Sequence, residues 1–218
     1  MKIALIGASG FVGSAILKEA LQRGHQVTGL GRNPEKVNSR DDEKVSAQEA
    51  DVMNTGALSR LLEGHDIVVS AYNAGWTNPN LYDDFLKGSQ SIQDAVKASG
   101  VKRLIVVGGA GSLFVAPGVQ LIDTPEFPED YKKGASAARD YLTILKDEED
   151  LDWTFLSPAI EMHAGTSGER KGTYRTGSDN PVFDGNKRSI ISVEDLAVAI
   201  LDEAEEPKQV RRRFTVAY

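Results

Sequence analysis

The amino-acid sequence predicts an α/β fold built on a doubly wound parallel sheet, with helices on both faces. Short apolar runs alternate with helical patterns over the first hundred residues. The strand-like runs, such as Ile3–Ile6, are continuously apolar, which is typical of parallel strands that are covered on both sides. A glycine-rich turn also separates the first strand from the first helix, and right-handed crossovers complete the doubly wound arrangement.

The first half of the chain alternates strands and helices in order. A helical pattern over Phe11–Arg23 places Val12, Ile16 and Ala20 on one face, and Gly24 ends it. The elements that follow are a strand over Gln26–Leu30, a weaker strand over Lys44–Ala50, a helix over Thr55–Glu63, a strand over His65–Ser70, a helix over Leu81–Ser99 and a strand over Arg103–Val107.

The second half is less regular. Val115–Pro128 contains three of the eight prolines and is predicted to be a loop or flap. Ser192 begins the last helix and forms a capping box with Asp195. The other predicted elements are a helix over Tyr131–Lys146, a strand over Trp153–Leu156, substrate-side loops over 158–191 with short strands at Gly172–Thr176 and Ser189–Ile191, and a final strand over Arg212–Val216. We expect one domain, 1–218, with a small carboxyl-terminal elaboration on the substrate side.

Composition excludes several classes of protein. The 218 residues carry a net charge of −7 and contain no cysteine, so disulfides, thiolate metal sites and a cysteine nucleophile are excluded, and a reduced cytoplasmic setting fits. The acidic balance argues against nucleic-acid binding, and the one basic run, Arg211–Arg213, is predicted to lie at a solvated sheet edge. No apolar run approaches the ~20 residues that span a bilayer, so no membrane partner is expected. The sequence leaves open whether the chain forms a homo-oligomer.

The glycine turn is the sharpest motif. It has a GxxGxxG pattern, in which Gly7 makes the turn, Gly10 lets a pyrophosphate approach the backbone, and Gly13 lets helix and strand pack closely. The helix amino terminus adds free N–H groups for the phosphates. Because the motif lies between a strand and a helix in a βαβ unit, it predicts dinucleotide binding on a Rossmann-type fold. The predicted contacts of this turn are Gly7, Ser9, Gly10, Phe11, Val12 and Gly13.

The end of the second strand favours NADPH. An NAD site usually presents an acidic side chain at this position, but the sequence has Arg32 and Asn33. Arg32 can form a bidentate pair with a 2′-phosphate, and Lys36 lies one helical turn further on. The alternative is an exposed loop arginine, in which case NADH would also serve.

Together with these motifs, several stretches carry a resemblance to a known family. The sequence resembles the atypical short-chain dehydrogenases/reductases, and within them the NAD(P)H-binding, NmrA-like proteins of the NADH-flavin reductase and biliverdin reductase B type. The stretches that carry it are Gly7–Gly13, Arg32–Pro34, Asp51-Val52, Ser70-Ala71, Val107–Ser112, Ser157–Ala159, Gly172–Arg175 and Ser192–Leu196.

The resemblance implies places for further residues around a nicotinamide cofactor. Ser112, after the fifth strand, would lie by the nicotinamide and is a catalytic candidate; its alternative role is a turn cap. Asp51 would lie by the adenine, or would only shape a turn. The remaining implied cofactor contacts are Val52, Ala71, Tyr72, Asn73, Gly109 and Pro158.

The usual proton-transfer pair of the superfamily is absent. Short-chain dehydrogenases use a Tyr-x-x-x-Lys pair, in which the lysine lowers the tyrosine pKa. No lysine stands four residues after any of the six tyrosines, which are Tyr72, Tyr82, Tyr131, Tyr141, Tyr174 and Tyr218. Ordinary alcohol–ketone chemistry is therefore disfavoured, whereas hydride transfer to a flavin needs less from the protein.

Few other side chains are candidates for chemistry. His25 and His65 lie at the starts of the second and fourth strands, away from the expected cofactor edge, whereas His163 follows the Ser157-Pro158 turn and could reach the substrate space. The three histidines have no metal-ligand spacing, so no metal is expected. The aromatic residues that could stack on a flat acceptor are Tyr72, Trp76, Phe114 and Tyr174.

The sequence thus favours an NADPH-dependent oxidoreductase that passes hydride to a flavin or a similar planar acceptor. Two alternatives remain open. The chain could be a non-catalytic NADP(H)-binding redox sensor of the NmrA-like type, or an NAD-dependent epimerase/dehydratase-like enzyme.

Overall fold

The computed structural model describes residues 1–38 and 43–218, and its elements alternate as the sequence predicts. The first half contains β1 (Lys2–Ile6), α1 (Phe11–Gln22), β2 (Gln26–Gly31), α2 (Glu35–Asn38), β3 (Val45–Glu49), α3 (Thr55–Leu62), β4 (Ile67–Ser70), α4 (Leu81–Ser99) and β5 (Arg103–Val107). The second half contains β6 (Phe114–Ala116), β7 (Val119–Gln120), α5 (Glu129–Lys146), β8 (Asp152–Ser157), β9 (Arg175–Gly177), α6 (Val193–Glu205) and β10 (Arg212–Ala217).

Eight of the strands form one sheet in the order β3-β2-β1-β4-β5-β8-β10-β9. All of them are parallel except β9, which pairs antiparallel with β10. The chain winds outward from β1 to β3, returns to β4 and then continues in the other direction. The predicted doubly wound, Rossmann-type fold is therefore confirmed, and the winding direction changes between β1 and β4. In such sheets ligands bind beyond the carboxyl ends of the strands at this switch point.

Each face of the sheet has its own apolar layer because strand residues alternate between the faces. Leu5 faces α1 and α6, where it packs in a cluster with Ile16 and Leu196. Ile6 faces the other way, in the cluster of α3, α4 and α5 that includes Val96. No helix in the described ranges combines the length and apolar character needed to cross a bilayer.

The segment predicted as a flap is partly ordered into a second, two-stranded sheet. β6 and β7 pair antiparallel within it, and Gly118 lies between them with a φ of +73°. The Pro117-Gly118 dipeptide is typical of a hairpin turn as well as of a loop, so the sequence did not distinguish the two. The hairpin is anchored by the Phe114 N–H, which donates to the Asp179 carbonyl at 2.8 Å.

The basic run is not entirely solvated, which corrects one expectation. Arg211 and Arg212 are exposed, but Arg213 is buried, because its side chain packs inward between Ser112 and Asp179. The Arg213 guanidinium pairs with Asp179 and donates to the Ser112 hydroxyl at 3.2 Å. An arginine within a strand alternates faces with its neighbours, so only one of the three side chains points inward here.

Candidate functional site

A cleft of about 340 Å³ lies beyond the carboxyl ends of β1, β2 and β4. It is where the doubly wound topology places a ligand, and its volume is within the usual range of small-molecule sites. Four loops form it, and they bring together many of the residues predicted to contact a cofactor. These are Gly7, Ser9, Gly10, Arg32, Asn33, Asp51, Val52, Ala71, Tyr72 and Asn73.

The glycine turn has the backbone geometry that its sequence predicts. Gly7 has a φ of +80°, and a Cβ there would lie 2.6 Å from the Ala71 carbonyl oxygen. A Cβ on Gly13 would lie only 2.0 Å from the Gly7 carbonyl oxygen, so α1 presses directly onto the turn. The Gly10 N–H closes the turn by donating to the same carbonyl oxygen at 3.0 Å. A larger residue at Gly7 would push the turn away from the loop after β4, and one at Gly13 would force the turn and the helix apart.

The first turn of α1 is suited to hold phosphate. Gly10 is its N-cap and has no side chain to satisfy the free N–H groups. Those groups and the positive end of the helix dipole favour an anion. Ser9 and Gly10 are exposed beside them, Phe11 is 46% exposed, and Val12 is partly buried. The cradle therefore fits a pyrophosphate, which a Cβ on the turn would obstruct.

Arg32 lies at the mouth of the cleft, directly after β2. Its side chain is exposed, as is Asn33 beside it. Within residues 1–38 and 43–218 the Arg32 guanidinium forms no hydrogen bond or ion pair, so its five donors are open to a ligand. Its charge also acts on the phenol of Tyr72. The positive group thus lines the cleft and is close enough to Tyr72 to affect its phenol.

Asp51 and Val52 shape the opposite wall of the cleft. One carboxylate oxygen of Asp51 accepts from the Met53 N–H at 3.0 Å, so this residue forms a turn, as its alternative interpretation predicted. The Asp51 side chain is nonetheless exposed and can face a ligand. The Val52 carbonyl is fixed by the Ser91 hydroxyl, which donates to it at 2.6 Å.

Tyr72 is a wall of the cleft and is poorly placed to release a proton. Its ring stacks on Phe85 with centroids 5.8 Å apart and lies over Gly88, where a Cβ would come within 2.6 Å of it. Its hydroxyl donates to the Asp84 carbonyl at 3.0 Å. Burial, with a smaller effect of the Asp84 charge, raises the pKa of Tyr72 to about 12.

The two catalytic candidates are not brought together by a hydrogen bond in the described ranges. Ser112 is buried in the turn after β5, where its hydroxyl accepts from Arg213. His163 is exposed and caps a short helical turn, because its Nδ1 accepts from the Gly165 N–H at 3.0 Å. Gly109 is partly buried and Pro158 is buried. None of these four residues lines the cleft.

Much of the predicted substrate-side segment lies along α1 and α6. The Arg170 guanidinium forms two bonds with Glu19, of 2.7 and 2.8 Å, and the hydrogen bonds of both Arg170 and Arg23 hold the pKa of Glu19 below its usual value. Asp195, which is fully buried, accepts from the Gly172 N–H at 2.7 Å. The Asp195 N–H donates to the Ser192 hydroxyl, which is one half of the predicted capping box. The Asp195 carboxylate accepts from the Lys171 and Gly172 N–H groups instead of the Ser192 N–H, so the other half does not form.

The aromatic candidates differ in their accessibility. Tyr174 donates to Asp202 at 2.6 Å, near the carboxyl end of α6, and so points away from the cleft edge. Phe114 is partly buried. Trp76 is 58% exposed and makes an edge contact with Tyr131, a residue that sequence reasoning did not select. Tyr131 lies in the first turn of α5 with no motif around it, so only the fold reveals this pair.

Among residues 1–38 and 43–218, no three acidic or histidine side chains are grouped to hold a metal ion. The features of the site are therefore a glycine turn, an arginine at the cleft mouth and aromatic residues on the loop after β4.

Comparisons with known proteins agree with this geometry. Residues 7–207 match the model of a family described as NAD(P)H-binding. The uncharacterized protein YwnB of Bacillus subtilis (strain 168) is 41% identical over 218 residues, covering 99% of this chain and 98% of YwnB.

Two solved structures are similar over the whole chain. A candidate epimerase from Bacteroides thetaiotaomicron is 45% identical with a TM-score of 0.91, covering 100% of this chain and 96% of that one. A candidate NADH-flavin reductase from Streptococcus pneumoniae TIGR4 is 33% identical with a TM-score of 0.84, covering 100% and 99%. The resemblance noted from the sequence is confirmed, and the chain belongs to the NAD(P)H-binding, NmrA-like family of atypical short-chain dehydrogenases/reductases.

Proposed function

We propose that this chain is an NADPH-dependent oxidoreductase that transfers hydride to a flavin or a similar planar acceptor. The observation that carries the cofactor choice is Arg32, exposed at the mouth of the adenosine cleft without an acidic partner in the described ranges. A 2′-phosphate would accept charge-assisted hydrogen bonds from it. NADH, which lacks that phosphate, would bind more weakly.

Each part of the site has a binding or orienting role. The N–H groups of the first turn of α1 bind the pyrophosphate, and Arg32 binds the 2′-phosphate. Tyr72, whose ring packs against Phe85 of α4, forms the wall that orients the cofactor. When bound, the reduced nicotinamide supplies a hydride. The acceptor takes up that hydride and one proton from solvent, because Ser112 is buried and Tyr72 keeps its proton in a bond to the Asp84 carbonyl.

The acceptor class rests on chemistry and on similarity. Within the six tyrosines no Tyr-x-x-x-Lys pair occurs, and a flavin ring can delocalise the charge that arrives with hydride without such a pair. The similar Streptococcus pneumoniae protein is a candidate NADH-flavin reductase. A cytoplasmic location fits a chain without cysteine.

The cofactor assignment is tested with Arg32→Ala. Losing charge-assisted hydrogen bonds should weaken NADPH binding about 10- to 100-fold, whereas the affinity for NADH should change little. Nicotinamide fluorescence titration measures both affinities, and Arg60→Ala, an exposed arginine near the end of α3, is the matched control. An equal loss for the two nucleotides would refute the 2′-phosphate role.

The catalytic proposal is tested by NADPH oxidation with FMN, FAD, quinones and biliverdin. Tight NADPH binding without turnover on any of them would refute it. In that event one observation favours a second function, that of a non-catalytic NADP(H) sensor. Ser112 is buried and the Tyr72 hydroxyl is hydrogen-bonded, so neither is placed to donate a proton to an acceptor. A sensor would bind NADP⁺ and NADPH with similar affinity and would retain a protein partner in a pull-down.

An epimerase/dehydratase-like activity is a third candidate, because the similar Bacteroides thetaiotaomicron protein is a candidate epimerase. The lack of a Tyr-x-x-x-Lys pair disfavours it. Thermal stabilisation by a sugar nucleotide, but not by FMN, would support it.

A further inference from the structure

Two aromatic side chains are exposed in contact with each other beside the cofactor cleft. Trp76, in the loop after β4, is 58% exposed, and Tyr131, in the first turn of α5, is 53% exposed. Their ring centroids lie 5.4 Å apart with planes at 84°. Single exposed apolar residues are ordinary on a protein surface, but in an edge-to-face aromatic pair one ring fixes the other, so that an exposed face stays available to a flat ligand.

Hydrogen bonds within the loop after β4, and packing on α5, hold Trp76 in this place. The Gly75 N–H donates to the Asn73 side chain at 2.7 Å, and the Asn78 amide donates to the Ala74 carbonyl at 3.2 Å. The indole lies over Gly134 of α5, where a Cβ would come within 2.8 Å of the ring. The loop and the helix therefore fix the indole while leaving more than half of it open.

The pair lies on the rim that adjoins the cofactor cleft, outside the cleft lining itself. Ala74 and Asn78, on either side of Trp76 in the sequence, both line that cleft. On the other side, Ala135 is adjacent to Gly134 and contacts Gly111, in the turn after β5. The pair thus spans the rim between the ends of β4 and β5, the half of the switch point beyond the pyrophosphate cradle.

We propose that the exposed Trp76 indole, held in place by the edge contact of Tyr131, forms a stacking platform for the flat, fused-ring acceptor of the reaction. The inference rests on the proposed function and deepens it by assigning the acceptor site. The other aromatic candidates fit less well, since Tyr72 already stacks on Phe85 and Tyr174 is bonded to Asp202. Stacking tolerates different rings, because every flat π-system offers a face. The platform therefore selects isoalloxazine-like compounds by shape and not by individual hydrogen bonds.

The platform is tested by titrating the protein with FMN and following the quenching of flavin fluorescence. Trp76→Ala should weaken FMN binding about tenfold, and Trp76→Phe should retain most of the affinity. Gly134→Ala displaces the indole without removing it and should weaken FMN binding as well. Phe183→Ala removes an aromatic that is 45% exposed but has no ring contact with the Trp76–Tyr131 pair, and it should change nothing. NADPH affinity should be unchanged in all four variants.

Parallel assays of NADPH oxidation separate this inference from the proposed function. If wild-type protein reduces FMN and Trp76→Ala has the same FMN affinity and KM, the platform is wrong and the reductase stands. If FMN binding depends on Trp76 but no acceptor supports NADPH oxidation, the platform stands and the reductase is wrong. Failure of wild-type protein to bind FMN, in the presence or absence of NADP⁺, would overturn the platform directly.

Discussion

Replacement of Gly13 by alanine should separate α1 from the glycine turn. The added Cβ would lie 2.0 Å from the Gly7 carbonyl oxygen, whereas ordinary contact begins at 3.4 Å, so the two must move apart by the difference, about 1.4 Å. The neighbour is backbone and cannot rotate away. We therefore expect a cost at the upper end of overpacking, about 3 kcal/mol. For a chain of this length that lowers Tm by about 6–12 °C.

The assay is urea unfolding, followed by circular dichroism, together with NADPH titration. Because the N–H groups of α1 move with the helix, Gly13→Ala should also weaken NADPH binding at temperatures where the protein remains folded. Gly56→Ala is the matched control: a Cβ there meets no atom within 4 Å, and alanine suits its helix. Wild-type stability and NADPH affinity in Gly13→Ala would refute the close-packing argument.

Two further predictions concern buried charges. Glu19→Gln should reduce the free energy of unfolding by about 2 kcal/mol at pH 7, because the carboxylate binds Arg170 and Arg23. The folded pKa of Glu19 lies below its ordinary 4.5, so its stabilisation is complete above pH 4.5 and is lost as pH falls below it; urea unfolding at pH 7 and 4 should show a smaller acid loss in the variant. Arg213→Met should cost about 1–2 kcal/mol, because the abandoned Asp179 carboxylate is 58% exposed and stays hydrated. Arg212→Met, on the exposed face of the same strand, should cost less than 0.5 kcal/mol, and equal effects of the two would contradict the buried position of Arg213.

The parts of the fold that depend on local pattern could be predicted from the sequence. The bounds of α4 and β5 agree to the residue, because apolar periodicity and Gly100, which has a φ of +81°, define them locally. The hairpin of β6 and β7 was not predicted, since its strands are only three and two residues long. Pairing with a neighbour determines such short strands more than their own sequence does.

The candidate site shows the same division, and it explains why the proposed acceptor platform was harder to predict from the sequence than the glycine turn and Arg32. Gly7, Gly13 and Arg32 belong to motifs in which neighbouring residues define the geometry, so their positions follow from the strand–turn–helix pattern alone. The contact of Trp76 with Tyr131 joins residues 55 positions apart through the packing of a loop on α5. It also depends on Gly134, which contributes to this contact only by leaving space for the indole. No local pattern encodes that contact. A candidate cofactor site made of motifs can thus be predicted from sequence, whereas the proposed acceptor platform, made of exposed side chains from separate elements, requires the folded chain.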